Sequence, residues 1–288
     1  MLSLTAPTKI NLTLEVLGKR ADGYHEIRSV VQAIDLQDTI NLELSDGIQF
    51  SCSVPELETR DNLVLKTVRL LQNEIGVTRG VKIELVKRIP EAAGLGGGSS
   101  DAATTLMGLS QLWDLDLPFT RLLSLAARTG SDVPFFLYRG AALMEGRGEK
   151  IIPIAPLPKT WFVVVKPSLP VMPGKTAQLY KSLVPAHFTS GQLTRGVVKS
   201  LQSAQPLQPD LLFNVFENVA FDLFPGLAVC RQQFLDCGAP WAHLAGSGPA
   251  LYTMLNDHAM AEKLYSEVKG RGIEVYVAST VDAIIGKC

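Results

Sequence analysis

The chain has 288 residues, which at the usual ~150 per domain points to two domains and is long enough to bury a core without disulfides or a structural metal. It carries 27 Lys and Arg against 28 Asp and Glu, a net charge of −1, and charged residues make up 19% of it, below the ~25% of an average globular chain. Near-neutral charge with no basic run excludes a nucleic-acid partner, and Cys52, Cys230, Cys237 and Cys288 form no CxxC pair or zinc spacing, as expected of a reduced chain without a structural zinc.

The opening MLSLTAPTKINLTLEVLG lacks the charged lead, apolar run and cleavage site of a secretory signal. Runs such as Trp161 to Val165 fall far short of the ~18 apolar residues that span a bilayer. The expectation is a cytoplasmic protein with no membrane partner.

From Ile10 to Val16 apolar and polar residues alternate, with Lys9, Asn11, Thr13 and Glu15 on the polar side, the period of a half-buried strand. Asp22-Gly23 marks a turn. Strands are predicted over 39–44, 48–54 and 81–86, with a helix between the last two that Asp61 or Asn62 opens and Gly76 closes. A glycine loop follows, then helices over 99–112 and 119–128 and strands over 141–144 and 149–154. Two prolines in Ile154-Ala155-Pro156-Leu157-Pro158-Lys159 interrupt regular structure, which sets the predicted boundary between a domain of residues 1–155 and one of 156–288. Beyond it come a strand over 161–165, helices, two strands flanking Gly246, a helix over 259–269 and a strand over 273–278. The order is α+β in both halves rather than steady βα alternation.

The most informative stretch is Pro90-Glu91-Ala92-Ala93-Gly94-Leu95-Gly96-Gly97-Gly98-Ser99-Ser100-Asp101. So many glycines cost backbone entropy unless bare N–H groups must come close to something. The loop joins a strand to an alanine-rich helix, so free N–H groups and a favourable dipole sit where an anion would lie. Strand, loop and helix start form a phosphate cradle. It is not a Walker A motif: the only Gly-Lys-Thr is Gly174-Lys175-Thr176, and the first glycine would have to stand at Leu169. It is not a Rossmann fingerprint either, because the third glycine would fall at Ser99.

The loop and its helix resemble the ATP-binding motif of the GHMP small-molecule kinases. Pro7-Thr8-Lys9-Ile10-Asn11-Leu12 and the late turn Ala245-Gly246-Ser247-Gly248-Pro249 fall in that family's order. Arg20-Ala21-Asp22-Gly23-Tyr24-His25-Glu26-Ile27 and Gly130-Ser131-Asp132-Val133-Pro134-Phe135-Phe136 are similar to the subgroup that phosphorylates 4-diphosphocytidyl-2-C-methyl-D-erythritol. The resemblance covers essentially the whole chain. Two departures stand out: Asp101 occupies a position where many members carry Asn, and 171–176 is longer than the usual connection to the helix holding Tyr180.

The resemblance implies a two-domain fold, the first part like ribosomal protein S5 domain 2 and the second ferredoxin-like. It implies transfer of a phosphoryl group from ATP, with Mg2+, to the 2-hydroxyl of a cytidine diphosphate-linked methylerythritol in the non-mevalonate isoprenoid route. The expected state, which the resemblance does not supply, is a monomer or weak homodimer. Pro90 to Ser100 would bind ATP. Asp132 would accept the proton of the attacking hydroxyl and Lys9 would orient it and stabilise charge. Asn11, Tyr24, His25, Tyr180, Gly246 and Ser247 would bind the acceptor, with Tyr24 and Tyr180 stacking on cytosine and His25 at its edge. The Mg2+ ligands are not readable; Ser99, Ser100, Asp101 and Asp132 are candidates. Without the resemblance, Asp132 before Pro134 reads as a turn or cap residue, Lys9 as a solvated edge charge, His25 as structural and the late glycines as a β-turn.

Overall fold

A computed structural model describes residues 1–170, 172–203 and 207–283. Cys288 lies outside the described residues. Strands β1 (Leu2–Asn11) and β2 (Thr13–Lys19) run in succession along one side of β3 (His25–Ser45), both antiparallel to it. After β4 (Ile48–Cys52), helix α1 (Leu63–Ile75) begins where Asn62 accepts the Val64 N–H and ends at Gly76 in the left-handed conformation, as its sequence predicts. Strand β5 (Gly80–Val86) then pairs with the far side of β3. Helices α2 (Gly97–Leu112), α3 (Phe119–Thr129) and α4 (Val133–Tyr138) precede β6 (Ala141–Gly146), which extends that far side, and β7 (Lys150–Ile154). The 21-residue β3 is therefore the spine of the first sheet.

The second sheet is built on β8 (Trp161–Lys166). Helices α5 (Lys175–Ser182) and α6 (Gln192–Gln202) follow, then the short β9 (Phe213–Asn214), which returns to pair with β2 of the first sheet. Helices α7 (Glu217–Leu223) and α8 (Leu227–Asp236) lead to β10 (His243–Leu244) and β11 (Leu251–Leu255); α9 (His258–Gly270) leads to β12 (Glu274–Ser279). The order in this sheet is β10-β11-β8-β12, all antiparallel. The whole is α+β and two-layered in each part, as expected.

One core lies between the first sheet and α1 to α4 around Trp113, Phe135 and Phe136, and another between the second sheet and its helices around Val163, Val165 and Phe234. A third joins the two sheets: Phe162, Val164 and Tyr252 pack on Ile10, Leu12, Val30 and Ile34. Both faces of β8 are thus buried, which is why Trp161 to Val165 reads as a continuous apolar run.

Two predicted elements differ. The stretch 10–16 bends at Leu12 rather than running straight, and its polar face is buried, not solvated. Helix α6 covers that face: the Thr13 and Thr194 hydroxyls share a hydrogen bond, and Glu15 accepts the Thr194 N–H at 2.7 Å. Helix α2 starts at Gly97 rather than Ser99, because Gly96 serves as its N-cap and accepts the Ser100 N–H.

Candidate active site

Segments far apart in the chain meet where the two sheets join. The glycine loop runs from the end of β5 into α2, with Gly94 and Gly96 both at positive φ (+85° and +76°). A Cβ on Gly94 would stand 2.0 Å from the Ala245 carbonyl oxygen, and one on Gly96 would stand 2.9 Å from the Phe136 ring. Glycine is required at both by conformation and by space. Ala250 donates to the Ala93 carbonyl at 3.2 Å, so the loop and the late glycine turn lie backbone to backbone. The first N–H groups of α2, on Gly97, Gly98 and Ser99, have no partner within the helix and form an anion cradle at its positive end.

Lys9 stands against this cradle. Its N–H donates to the Leu95 carbonyl at 3.1 Å, and the neighbouring Thr8 hydroxyl donates to the same oxygen. Its ammonium donates to Asn11 Oδ1 at 2.6 Å, Asn11 Nδ2 donates to Ser29 Oγ at 2.8 Å, and Ser29 donates to the Thr13 carbonyl. This chain of bonds fixes the lysine, which is 6% exposed. Burial lowers its pKa and the Asp132 charge opposes that shift. Asp132 Oδ2 lies 3.8 Å from the ammonium, close enough for an ion pair and too far for a hydrogen bond. Asp132 precedes α4 but its side chain caps nothing, and it is 41% exposed toward the cavity. The cap role open to it in the sequence is not used, so its carboxylate faces the cavity uncommitted to the helix backbone.

The cleft forms a cavity of about 1060 Å³ whose wall includes Lys9, Asn11, Asp132 and Gly246 together with His25 and Tyr180. The His25 and Tyr180 rings stack at 5.0 Å with 16° between their planes, and Tyr180 meets Phe216 edge-on at 4.8 Å. Burial, then the Lys19 charge, lowers the His25 pKa, so its imidazole is neutral at pH 7. Tyr24 is 57% exposed at the rim, with the Arg147 guanidinium 4.7 Å over its ring. An aromatic platform and a carboxylate–ammonium pair beside an anion cradle, all on one cavity, suit a ligand that carries both a flat ring and a reacting hydroxyl.

Every acceptor-site residue named from the sequence lines this cavity: Asn11, Tyr24, His25, Tyr180, Gly246 and Ser247. The loop residues divide. Gly94 and Gly96 face the large cavity, Pro90, Glu91 and Ala92 line a second one of about 490 Å³, and Ala93, Leu95 and Ser100 are buried beneath the loop. Asp101 and Ser100 are turned away as magnesium ligands: Ser100 is fully buried, and Asp101 is buried on the Lys87 ammonium at 2.8 Å. Sequence reasoning missed Lys19, Arg147, Lys175 and Phe216. The Gly-Lys-Thr triplet at 174–176 was a signal for Lys175; for the others nothing local marks them.

Known proteins agree with this architecture. The profile for the GHMP kinases N terminal domain matches residues 62–140 and that for GHMP kinases C terminal matches residues 196–274. A 4-diphosphocytidyl-2-C-methyl-D-erythritol kinase of Dehalococcoides mccartyi is 44% identical over 281 residues, covering 98% of this chain and 99% of that one. One from Gloeobacter violaceus is 38% identical, covering 97% and 94%. A crystal structure of 4-(cytidine 5'-diphospho)-2C-methyl-D-erythritol kinase superposes with a TM-score of 0.84 at 32% identity, covering 97% of this chain and 99% of that one. The loop, the lysine–aspartate pair and the two-sheet fold therefore stand in a chain that belongs to the GHMP kinases, within the family of 4-diphosphocytidyl-2-C-methyl-D-erythritol kinases.

Proposed function

We propose that this protein transfers the γ-phosphoryl group of ATP to the 2-hydroxyl of 4-diphosphocytidyl-2-C-methyl-D-erythritol, giving the 2-phosphate and ADP in non-mevalonate isoprenoid precursor synthesis. The observation that carries the proposal is one cavity joining the Lys9–Asp132 pair and the glycine loop to the His25–Tyr180 stack. The acceptor's cytosine binds beside these rings, on the faces of Tyr24 and Tyr180 with His25 at its edge. Its hydroxyl reaches Asp132, which takes the proton as the oxygen attacks phosphorus and the bond to ADP breaks. Lys9, held by Asn11, stabilises the charge on the phosphoryl oxygens.

Gly94 to Ser99 cradle the polyphosphate, and a Cβ at Gly96 would intrude on Lys9 at 3.3 Å. Mg2+ supplies charge neutralisation on the phosphates when bound. Among the described residues no group of three or more His, Cys, Asp or Glu could hold a metal. Of the candidate ligands, Asp132 lines the cavity while Ser100 and Asp101 are buried, and a single carboxylate fits an ion carried mainly by the nucleotide and water. A cytoplasmic monomer or weak homodimer completes the proposal; no helix among the described residues is long and apolar enough to cross a membrane.

The test is ADP release with Mg-ATP and the cytidylated acceptor, beside mevalonate and homoserine. Turnover on the cytidylated acceptor alone is expected, and Asp132→Asn should lower kcat by ~10²- to 10⁴-fold while ATP still binds. Turnover on mevalonate or homoserine alone would overturn the substrate.

A further inference from the structure

The Gly174-Lys175-Thr176 triplet is not part of a Walker A motif, yet the fold brings it to the phosphate cradle. Gly174 is the N-cap of α5, at φ +65°, and α5 projects its first side chains toward the glycine loop. The Lys175 ammonium donates to the Ala92 carbonyl in that loop and to the Gly248 carbonyl in the late turn. Beside it, the Thr176 hydroxyl donates to Ser247 Oγ at 3.0 Å. Lys175 thus sits on the seam where Gly94 touches Ala245, and it separates the two cavities: Thr176 lines the larger and Lys175 the smaller.

What the ammonium lacks is a counter-charge. Its partners are two neutral carbonyls, and the charge that acts on it is the Lys9 ammonium. Burial, then Lys9, pushes its pKa down to about 8. Lys9 and Lys175 together bring two positive charges to the junction; Asp132 pairs with Lys9, and among the described residues no carboxylate lies within ion-pair distance of Lys175. A half-buried cation bound only to dipoles is poorly compensated, and a polyphosphate arriving at the cradle supplies the missing anion.

We infer that Lys175 is a binding residue for the nucleotide's β- and γ-phosphates, a cation delivered across the domain junction from α5 to the glycine loop. The inference rests on the kinase reading above. It gives 172–176 a purpose: this connection carries a lysine to the loop. Lysine serves here as a compact point charge with three rotatable donors, able to exchange carbonyl oxygens for phosphate oxygens.

The experiment compares wild type, Lys175→Gln and Lys175→Arg by calorimetric titration with ATP, ADP and AMP in magnesium buffer, without acceptor. Gln keeps donors for the two carbonyls and removes the charge; Arg keeps the charge. The expected result is that Lys175→Gln weakens ATP and ADP by about tenfold and AMP by less than about twofold, that Arg recovers most of the loss, and that the acceptor's KM is unchanged. Equal loss for all three nucleotides, no loss, or a change confined to the acceptor's KM would make Lys175 a strap between two turns and overturn the inference. So would wild-type protein that does not distinguish nucleotides by phosphate number. Should Gln lower the Tm, the Arg variant still decides, because a strap role predicts that it binds all three nucleotides less well. Wild type that binds ATP but leaves the cytidylated acceptor untouched would overturn the proposed function alone.

Discussion

Behind the glycine loop, Lys87 lies between two buried carboxylates, 2.5 Å from Asp38 and 2.8 Å from Asp101. Asp38 also accepts the N–H groups of Arg88 and Ile89, whereas Asp101 has Lys87 alone and its Oδ1 has no partner. One ammonium cannot compensate both carboxylates, and burial pushes Asp101 up to about 7. Since this value is raised above that of the unfolded chain, the stability it contributes is complete below about pH 4 and is lost as the pH rises through about 7. Asp101→Asn removes the titration while keeping the shape. Thermal unfolding should give equal Tm values for variant and wild type near pH 4 and a higher Tm for the variant near pH 8, with ~2–4 °C expected per kcal/mol. Equal Tm values at both would show that Lys87 compensates both charges. The cluster also bears on ATP: a Cβ on Gly97 would lie 3.5 Å from the Lys87 ammonium, so its charge stands just behind the cradle.

At the scale of elements, the loop and α2 work as one piece. Gly94 packs on Ala245 so closely that no side chain fits without displacing backbone. Gly94→Ala should therefore move the loop off the late turn, and ATP affinity should fall by at least tenfold with the fold retained. Calorimetric titration checks the affinity and circular dichroism the fold; unchanged affinity would mean that the loop tolerates the shift. This loop was legible in the sequence because so many glycines before an alanine-rich helix have few physical explanations. Helix α1 was legible for a similar reason, its stop and start being local chemistry at Asn62 and Gly76. The polar face of 10–16 was not, because the helix that covers it lies far along the chain: Glu15 and the Thr194 N–H are 179 positions apart. The Asp38–Lys87 pair, 49 positions apart, and the Lys175 bonds to Ala92 and Gly248, 83 and 73 apart, were hidden in the same way. Lys9 and Asp132 came from motif resemblance; periodicity alone made one an edge charge and the other a cap.

The whole molecule is held by the core between its sheets. Phe162 is fully buried there with Val164 and Tyr252, and the Tyr252 hydroxyl donates to the Asn11 carbonyl at 3.0 Å. The second sheet thus rests directly on the strand that carries Lys9. Phe162→Ala should cost ~3–5 kcal/mol in denaturant unfolding and should lower activity along with stability, because the junction and the site share that strand. A loss of stability with full activity at low temperature would separate the two. We propose the boundary at 155–156, in the link between β7 and β8, with the qualification that α6 and β9 pack on the first sheet although they follow it.

The last described strand carries that sharing further. At the end of β12 Ser279 bonds to Asp35, and just beyond it the Val281 N–H donates to the Ala33 carbonyl at 2.9 Å and Gln32 Nε2 donates to the Val281 carbonyl. These bonds tie the middle of β3 to residues almost 250 positions later, 244 for Ser279 and Asp35 and 249 for Gln32 and Val281. During synthesis at ~5–20 residues per second, a ribosome has made the glycine loop, the lysine and the aspartate well before it reaches Ser279. The polypeptide then holds all of its chemistry while β3, already lined by β1 and β6, still lacks these bonds around Ala33 and Asp35, and the architecture closes only when the trailing segment arrives.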